Sequence, residues 1–240
     1  MGVSSWHFCK TLPMDNKNIA DLLQLNQNLF HPVVNFDSRK DKAAKLDLSK
    51  TNLSFESSTY NDFNLFQQFI DEQHKSGKAK YLVGGYNELR EMYRRSQLFG
   101  INEEPRSLHL GIDVWGPAGT KVYAPLGGMV HSFKFNNNFG DYGATIILQH
   151  QLDTINFYTL YGHLALKDIE NLRVGKFITR GENFAHFGPP EENGHWPPHL
   201  HLQLIVDIGP WEGDYPGVCK LSEAGSYLIN SPDPHFLLNL

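Results

Sequence analysis

Two histidines stand two positions apart near the end of the chain, in the apolar stretch HLHLQLIV. On a β-strand, side chains at positions i and i+2 point to the same face, so His199 and His201 can reach one small site. Neutral imidazole fills an apolar core poorly, because its nitrogens need hydrogen-bond partners. Taken alone, the pair is equally consistent with a metal or catalytic site and with two solvated side chains on a surface strand.

A second segment, SLHLGIDVWG, places His109 and Asp113 four positions apart with Gly111 between them. In an extended segment these two side chains also share a face. The apolar neighbours would bury the Asp113 carboxylate, which then needs a partner such as a divalent cation. Taken alone, a salt-bridged aspartate beside a capped turn is the simpler interpretation.

A third segment, FYTLYGHLA, carries His163 after Tyr161 and Gly162. Together the three segments supply imidazole and carboxylate groups, which suit zinc. A catalytic zinc site has three protein ligands and an open position. Two histidines and one aspartate are available as ligands, and two further histidines remain for proton transfer and for stabilising negative charge.

The order of these motifs resembles that of the lysostaphin-type (LytM-like) zinc peptidases, over about residues 105–206. The flanking stretches GIDVWGPAGTKVYAPLGGMV, LRVGKFITRGENFAHFG and PPHLHLQLI are similar to the family's stretches as well. The resemblance implies one zinc ion per chain, bound by His109, Asp113 and His201, with His163 and His199 as catalytic residues. It also implies a small antiparallel β-sandwich, the duplicated hybrid motif fold, with the site in a groove on one sheet.

The chemistry implied by the resemblance is hydrolysis of a peptide or amide bond. Zinc makes water nucleophilic near neutral pH and polarises the scissile carbonyl. One imidazole takes the proton from the water and delivers it to the leaving amine, while the other hydrogen-bonds the oxyanion. We favour His199 as the base and His163 as the oxyanion donor, although the sequence leaves the two roles open.

A closer resemblance runs from about residue 81 to the C-terminus, Cys219 included. It is to a peptidase-type module fused to a kinase-like phosphotransferase and a class III aminotransferase, and the stretches VGGYNELREMYRRSQLF and DYPGVC carry it. Residues near the motifs are predicted to contact substrate, and an arginine among them could hold a carboxylate with two hydrogen bonds. The alternative for Arg90 is a solvated side chain at a helix start. The predicted contacts are Tyr86, Asn87, Arg90, Arg106 and His195.

The elements that position these residues form two groups. Apolar spacing predicts helices from Asp15 to Phe30 and from Asp62 to His74, with loop and extended chain over 37–58 between them. From about residue 81, short apolar runs alternate with turn residues, which is typical of an antiparallel β fold. AGTKVYAPLGGMV indicates two strands joined at 126–128 by a turn that can supply positive φ. We expect a mainly β fold, with a helical N-terminal lobe over 1–80 and a peptidase domain over 81–240.

Composition excludes several classes of protein. The 240 residues are 40% apolar with a formal net charge of -5, and no lysine and arginine cluster is dense enough to bind a nucleic-acid backbone. No apolar run approaches the roughly 18 residues of a membrane-spanning helix. The N-terminal residues lack the features of a secretory signal, so we expect a cytoplasmic enzyme with no membrane partner. We expect its substrate to be a small peptide or a peptidoglycan-derived fragment, and Cys9 and Cys219 to be free thiols.

Two other functions compete with hydrolysis. A non-catalytic binding or scaffold domain of the same fold is one, and the five intact site residues argue against it. A phosphotransfer module with paired histidines and no metal is the other, but Asp113 fits metal binding better. No GxGxxG or GxxxxGK[ST] motif is present, which disfavours a dinucleotide or P-loop site. The remaining histidines, expected to be structural or solvated, are His7, His31, His74, His131, His150, His186 and His235.

Overall fold

A computed structural model of the chain describes residues 16–100 and 104–240. His7, Cys9 and the helix start predicted at Asp15 lie outside the described residues. Within the described part, none of the helices has the length and apolar character needed to cross a lipid bilayer.

The helices lie mainly at the two ends of the chain. They are α1 (Asn16–Leu25), α2 (Ser57–Asn61), α3 (Phe63–Gly77), α4 (Lys167–Glu170), α5 (Ala224–Asn230) and α6 (His235–Leu238). Both predicted helices are present. The first ends at Leu25 and is followed by a 3₁₀ turn, and the second continues to Gly77. Helix α3 begins where it does because the Asp62 side chain accepts hydrogen bonds from the first backbone N–H groups.

The regular structure is mostly β with some helices, as predicted. The strands are β1 (Ala43–Lys45), β2 (Tyr81–Gly84), β3 (Glu88–Leu89), β4 (Leu108–His109), β5 (Ile112–Trp115), β6 (Lys121–Tyr123), β7 (Gly128–Asn136), β8 (Gly143–Leu152), β9 (Ile155–Leu164), β10 (Phe177–Ile178), β11 (Asn183–His186), β12 (His199–Ile205) and β13 (Val218–Cys219). Among the described residues, one sheet has the order β1-β2-β5-β12-β9-β8-β7-β10, and two small sheets have the orders β11-β6 and β13-β4-β3. None of these sheets closes on itself, and the exact sandwich arrangement stays a prediction.

The N-terminal lobe joins the large sheet. Strand β1 lies in the stretch 37–58 that was predicted as loop and extended chain, and it pairs in parallel with β2. Its sequence AAK is too short to show the alternation of a half-buried strand. Side chains from the same lobe, among them Ile19, Leu23 and Phe30, belong to the core cluster of the large sheet. The lobe therefore shares a core with the sheet, and the domain boundary at residue 80 stays a prediction.

The link between β6 and β7 differs from the prediction. Both strands are present, but neither Gly127 nor Gly128 has a positive φ, and the two strands pair with other partners. Gly128 is needed for close packing instead, because a Cβ there would lie 2.6 Å from Nδ1 of His150. The positive-φ turn predicted at 126–128 is therefore wrong.

A second core cluster lies under the predicted site. Phe66 of α3 packs on Trp115 and Trp196, with ring centroids 5.8 and 6.4 Å apart. Trp115 in turn stacks on His199 at 3.9 Å with an interplanar angle of 15°. Helix α3 therefore supports one wall of the site through aromatic packing.

Candidate metal centre

The register of the large sheet brings three separated motifs together. Strand β12 lies between β5 and β9, and His201 is opposite Asp113 on one side and Gly162 on the other. Residues directly opposite in an antiparallel pair have neighbouring side chains. The motifs around Asp113, His163 and His201 are therefore adjacent, although they are far apart in sequence.

His109 and Asp113 meet by a different path from the one predicted. They do not lie on one extended segment, since β4 belongs to the small sheet and β5 to the large one. The chain passes between the sheets at Leu110 and Gly111. A Cβ on Gly111 would lie 2.5 Å from Cε1 of His201, so only glycine fits this bend. The predicted neighbours are correct, whereas the predicted extended geometry is wrong.

Three buried side chains converge on one point. Nε2 of His109 lies 2.9 Å from Nδ1 of His201. Oδ1 of Asp113 lies 3.4 Å from the first of these nitrogens and 3.3 Å from the second. Among residues 16–100 and 104–240, this is the group of histidine and carboxylate side chains whose ligand atoms could surround one metal ion.

The outer hydrogen bonds of the two imidazoles show which nitrogens hold protons. Nδ1 of His109 lies 2.8 Å from the Gly85 carbonyl oxygen, which can only accept, so this nitrogen donates. Nε2 of His201 donates to Oε1 of Gln203 at 3.0 Å. The Gln203 amide nitrogen donates to the Pro216 carbonyl oxygen, which fixes the orientation of the amide. The nitrogens that face each other, Nε2 of His109 and Nδ1 of His201, therefore carry lone pairs.

The Asp113 carboxylate adds a third unshared lone pair. Its Oδ1 atom is buried and makes no hydrogen bond. Burial opposes ionisation of this carboxyl, but the neighbouring His109 and the Arg90 guanidinium together hold the pKa of Asp113 well below its usual range. Burial lowers the pKa of His109 to about 4, so the imidazole is neutral at pH 7. Two imidazole nitrogens and one carboxylate oxygen, all buried and all lone-pair donors, fit a zinc ion.

Arg90 has a role that the sequence did not indicate. It was predicted at the edge of the pocket, where it would bind substrate, but its side chain is only 1% exposed. Its Nη1 donates to Oδ2 of Asp113 at 2.6 Å and to the Tyr93 hydroxyl at 3.2 Å, and its Nε donates to Oε2 of Glu88 at 2.6 Å. The guanidinium is therefore engaged within the protein rather than free for a substrate carboxylate.

The two histidines predicted to be catalytic lie side by side. The ring centroids of His163 and His199 are 4.2 Å apart. Nδ1 of His163 donates to the Asn193 carbonyl oxygen and Nδ1 of His199 to that of Pro197, each at 2.8 Å. Burial lowers the pKa of His199 to about 4, and burial also holds that of His163 well below its ordinary value. Both rings are therefore neutral at pH 7, with the lone pair on Nε2.

His163 has an unusual backbone conformation. Its φ is +61°, in the left-handed region that residues other than glycine rarely adopt. It lies where the pairing of β8 with β9 shifts in register, between Tyr161 and Leu164. Such conformations persist where the surrounding structure enforces them, and they are common at functional sites.

A cavity of about 260 Å³ opens next to the three convergent side chains. His109, Asp113, His163, His199 and His201 all line it, and charged groups of both signs are among the other lining residues. Burial, together with the Asp141 charge, raises the pKa of Asp214. Further lining side chains are Leu98, Phe99, Arg106, Tyr142, Trp211 and Tyr215.

Two of the five predicted substrate contacts line the cavity, and three do not. Arg90 and Arg106 line the cavity, and the Arg106 guanidinium lies 5.2 Å from the Phe99 ring centroid. Tyr86, Asn87 and His195 do not line this cavity. The Tyr86 hydroxyl donates instead to the Ser231 carbonyl oxygen, the Asn87 N–H donates to the carbonyl oxygen of His109, and the ring of His195 packs beside Phe139.

Sequence reasoning missed several residues of the site. Gln203 continues the alternation of His199 and His201 on the same face of β12, so its position was accessible from the sequence. Tyr142, Trp211 and Tyr215 come from loops and strand ends in different parts of the chain. Nothing in their spacing indicates that they share a cavity.

Residues 107–211 match the family model of peptidase family M23. All five predicted metal and catalytic residues lie within this M23 segment, whereas Gly85, Glu88 and Arg90 lie outside it. The segment covers less than half of the chain. The resemblance to a module fused with phosphotransferase and aminotransferase domains stays a prediction.

Solved structures include several that are similar to this chain, whereas no curated protein matches it. The catalytic domain of the antimicrobial peptidase lysostaphin from Staphylococcus simulans is 22% identical over 72% of this chain and 98% of its own, with a TM-score of 0.41. A mutant catalytic domain of the prophage-encoded M23 protein EnpA from Enterococcus faecalis is 21% identical, covering 54% and 82% of the two chains, with a TM-score of 0.38. A zinc-containing peptidase from Vibrio cholerae is 26% identical, covering 46% and 32%, with a TM-score of 0.35.

Proposed function

We propose that this chain is a zinc-dependent hydrolase that cleaves a peptide or amide bond. The observation that carries the proposal is the convergence of three buried lone pairs, on His109, Asp113 and His201, at the floor of a cavity. The match of residues 107–211 to peptidase family M23 supports the same chemistry. One zinc ion per chain would be held by Nε2 of His109, Nδ1 of His201 and Oδ1 of Asp113.

Zinc in such a site polarises a scissile carbonyl and makes water nucleophilic near neutral pH. The chain's own contribution is to hold the ligands, exclude bulk water and move a proton. Nε2 of His199 accepts the proton of the attacking water and returns it to the leaving amine.

The tautomers constrain the second catalytic role. Both His163 and His199 use their Nδ1 hydrogen on a backbone carbonyl oxygen, so neither has a neutral Nε2–H to donate. Either ring can therefore hydrogen-bond an oxyanion only after it has taken up a proton. We keep His199 as the base, and His163 would act as oxyanion donor after it takes up a second proton from solvent.

The cavity walls favour a short peptide as substrate. Aromatic side chains of Phe99, Trp211 and Tyr215 offer apolar surface, and Arg106 and Asp214 offer charges of opposite sign. A peptide fragment has apolar groups and two charged ends, so it matches this mixture. A peptidoglycan-derived fragment belongs to the same class, and the cytoplasmic location stays a prediction.

A hydrolysis assay tests the proposal. The purified chain is incubated with a panel of short peptides and peptidoglycan-derived fragments, and cleavage is followed by mass spectrometry. We expect cleavage that a chelator stops, that stoichiometric zinc restores, and that Asp113→Asn abolishes. Cleavage that survives complete metal removal would contradict the proposal, as would a zinc-loaded protein that cleaves no member of the panel.

A further inference from the structure

The segment 85–90 contacts two of the three proposed ligands, although it lies before the M23 segment. It follows β2 and contains β3, whose Glu88 is opposite His109 in the small sheet. Nothing in the motifs around the ligands requires such a segment. Its contacts are therefore a property of this chain's own fold.

The two oxygens of the Asp113 carboxylate have different surroundings, because Arg90 binds only one of them. Oδ2 accepts the short hydrogen bond from Nη1 of Arg90, at 2.6 Å. Oδ1 makes no hydrogen bond and is the oxygen that lies 3.3–3.4 Å from the two imidazole nitrogens. The guanidinium thus occupies one oxygen and leaves the other for the site.

Gly85 influences both His109 and Asp113: it contacts His109 directly and leaves room for the Arg90 side chain that binds Asp113. Its carbonyl oxygen accepts the hydrogen bond of Nδ1 of His109, which keeps the lone pair of Nε2 directed at the site. Its φ is +104°, and a Cβ there would lie 1.7 Å from Nη2 of Arg90. Any other residue at this position would collide with the guanidinium and also strain the backbone.

The charged side chains of Glu88, Arg90 and Asp113 form a cluster with an excess of negative charge, which favours a cation. Side chains of Arg90 and Asp113 are each 1% exposed, and that of Glu88 is 11% exposed. One guanidinium faces two carboxylates, and the imidazole of His109 is neutral. The cluster therefore keeps one uncompensated negative charge beside the convergent lone pairs, where a buried divalent cation would balance it.

We propose that segment 85–90 positions the metal ligands, with Arg90 holding Asp113 so that Oδ1 alone is presented to the ion and Gly85 fixing the tautomer of His109. This inference rests on the proposed function, because it requires a metal ion at the site. Arg90 acts through Asp113, and its hydrogen bonds go to groups of the protein, so it is a positioning residue. Hydrogen-bond partners of metal ligands commonly contribute a factor of roughly 10 to 100 to metal affinity.

The test uses cobalt(II), whose visible absorption depends on the number and geometry of its ligands. Affinity and spectrum are measured for the wild type and for the double variant Glu88→Met/Arg90→Met. Removing both side chains takes away one charge of each sign, so the net charge of the cluster and its attraction for a cation are preserved. The hydrogen bond that orients Asp113 is lost, together with the hydrogen bonds of Arg90 to Glu88 and Tyr93.

We expect the double variant to fold, to bind cobalt roughly 10- to 100-fold more weakly, and to give a changed absorption band, because Asp113 is free to turn. The matched control is Arg95→Met, which removes a partly buried arginine that packs on Trp196 and contacts none of the proposed ligands. The control should lose stability but keep the wild-type affinity and spectrum.

A folded double variant with wild-type affinity and spectrum would overturn the inference. If the double variant does not fold, the single variant Arg90→Lys tests the inference instead. Lysine keeps the positive charge but cannot contact Glu88, Tyr93 and Asp113 together. Weaker cobalt binding by Arg90→Lys supports positioning, and wild-type binding with a wild-type spectrum refutes it. Failure of the wild type itself to bind cobalt or zinc would instead refute the proposed function.

Discussion

Nε2 of His109 lies 2.9 Å from Nδ1 of His201, and the outer nitrogen of each ring already uses its proton elsewhere. Two lone pairs so close together repel each other unless a cation lies between them and the Asp113 carboxylate. The pair is buried, so water screens this repulsion poorly. Metal binding should therefore be linked to the stability of the fold.

Zinc is expected to raise the free energy of unfolding. At a free zinc concentration 1,000 times the dissociation constant, the gain is about 4 kcal/mol. Urea denaturation with and without zinc measures it. His109→Ala should abolish the gain, whereas His235→Ala, which alters an exposed side chain far from the cluster in sequence, should keep it. Equal stabilisation of His109→Ala by zinc would contradict the assignment.

Gly111→Ala is expected to weaken zinc binding without removing any ligand. Its Cβ would lie 2.5 Å from Cε1 of His201 and would push that ring out of place. A displaced ligand should lower zinc affinity by roughly 10- to 100-fold, as the loss of an orienting partner does. The matched control is Gly225→Ala, where an added Cβ meets nothing within 4 Å. Competition with a chelating dye compares the three proteins, and equal affinities would show that His201 is not the ligand.

His199→Gln is expected to separate catalysis from metal binding. Removing a general base lowers kcat by about 10²- to 10⁴-fold, while zinc affinity should stay near the wild-type value because His199 is not among the three convergent groups. His201→Ala, in contrast, should lose zinc. Steady-state kinetics together with metal analysis makes the comparison. If His199→Gln lost zinc as completely as His201→Ala, the division between ligands and base would be wrong.

His150 is expected to make the fold sensitive to acid, independently of the metal site. Burial lowers its pKa to about 4, and its ring bonds the Gly127 carbonyl oxygen and Thr159. Between about pH 6.5 and pH 4 the unfolded chain binds a proton at His150 that the folded chain does not, so the free energy of unfolding falls by about 1.4 kcal/mol for each unit by which the pH falls. Outside this range, His150 does not make the free energy of unfolding depend on pH.

The variant His150→Gln isolates this contribution, because glutamine can keep hydrogen bonds but does not titrate. Denaturation of wild type and variant at pH 7, 6 and 5 should give a shallower acid slope for the variant, by about 1.4 kcal/mol per unit. Identical slopes would mean that His150 is not held neutral in the fold.

Much of the site could be predicted because its ligands lie in short, strongly patterned motifs. The alternation of His199 and His201 requires only that the segment be a strand, and β12 is one. The proximity of His109 and Asp113 was predicted from an extended segment, but the real cause is a bend at Gly111 between two sheets. The four-residue spacing correctly predicted that His109 and Asp113 are neighbours, but the extended geometry assumed for it was wrong.

The remaining features of the fold and the site depend on tertiary contacts, which the spacing of residues in the sequence does not show. Strand β1 exists because β2 offers it an edge, not because AAK favours a strand. The buried role of Arg90 depends on Gly85 making room and on Glu88 sharing the charge. The tautomers of His109, His163 and His199 follow from backbone carbonyl oxygens, whose positions no side-chain pattern records.

The zinc content of the purified protein decides whether His109, Asp113 and His201 hold a metal ion. The wild type is compared with Asp113→Asn and with the control Asp153→Asn, which alters an exposed aspartate in the turn between β8 and β9. Each protein is stripped of metal, supplied with zinc and dialysed to remove the excess, and its zinc is then measured by mass spectrometry. We expect one zinc per chain for the wild type and the control, and none for Asp113→Asn. A wild type without stoichiometric zinc, or an Asp113→Asn protein that retains zinc, would show that these residues do not form the metal site.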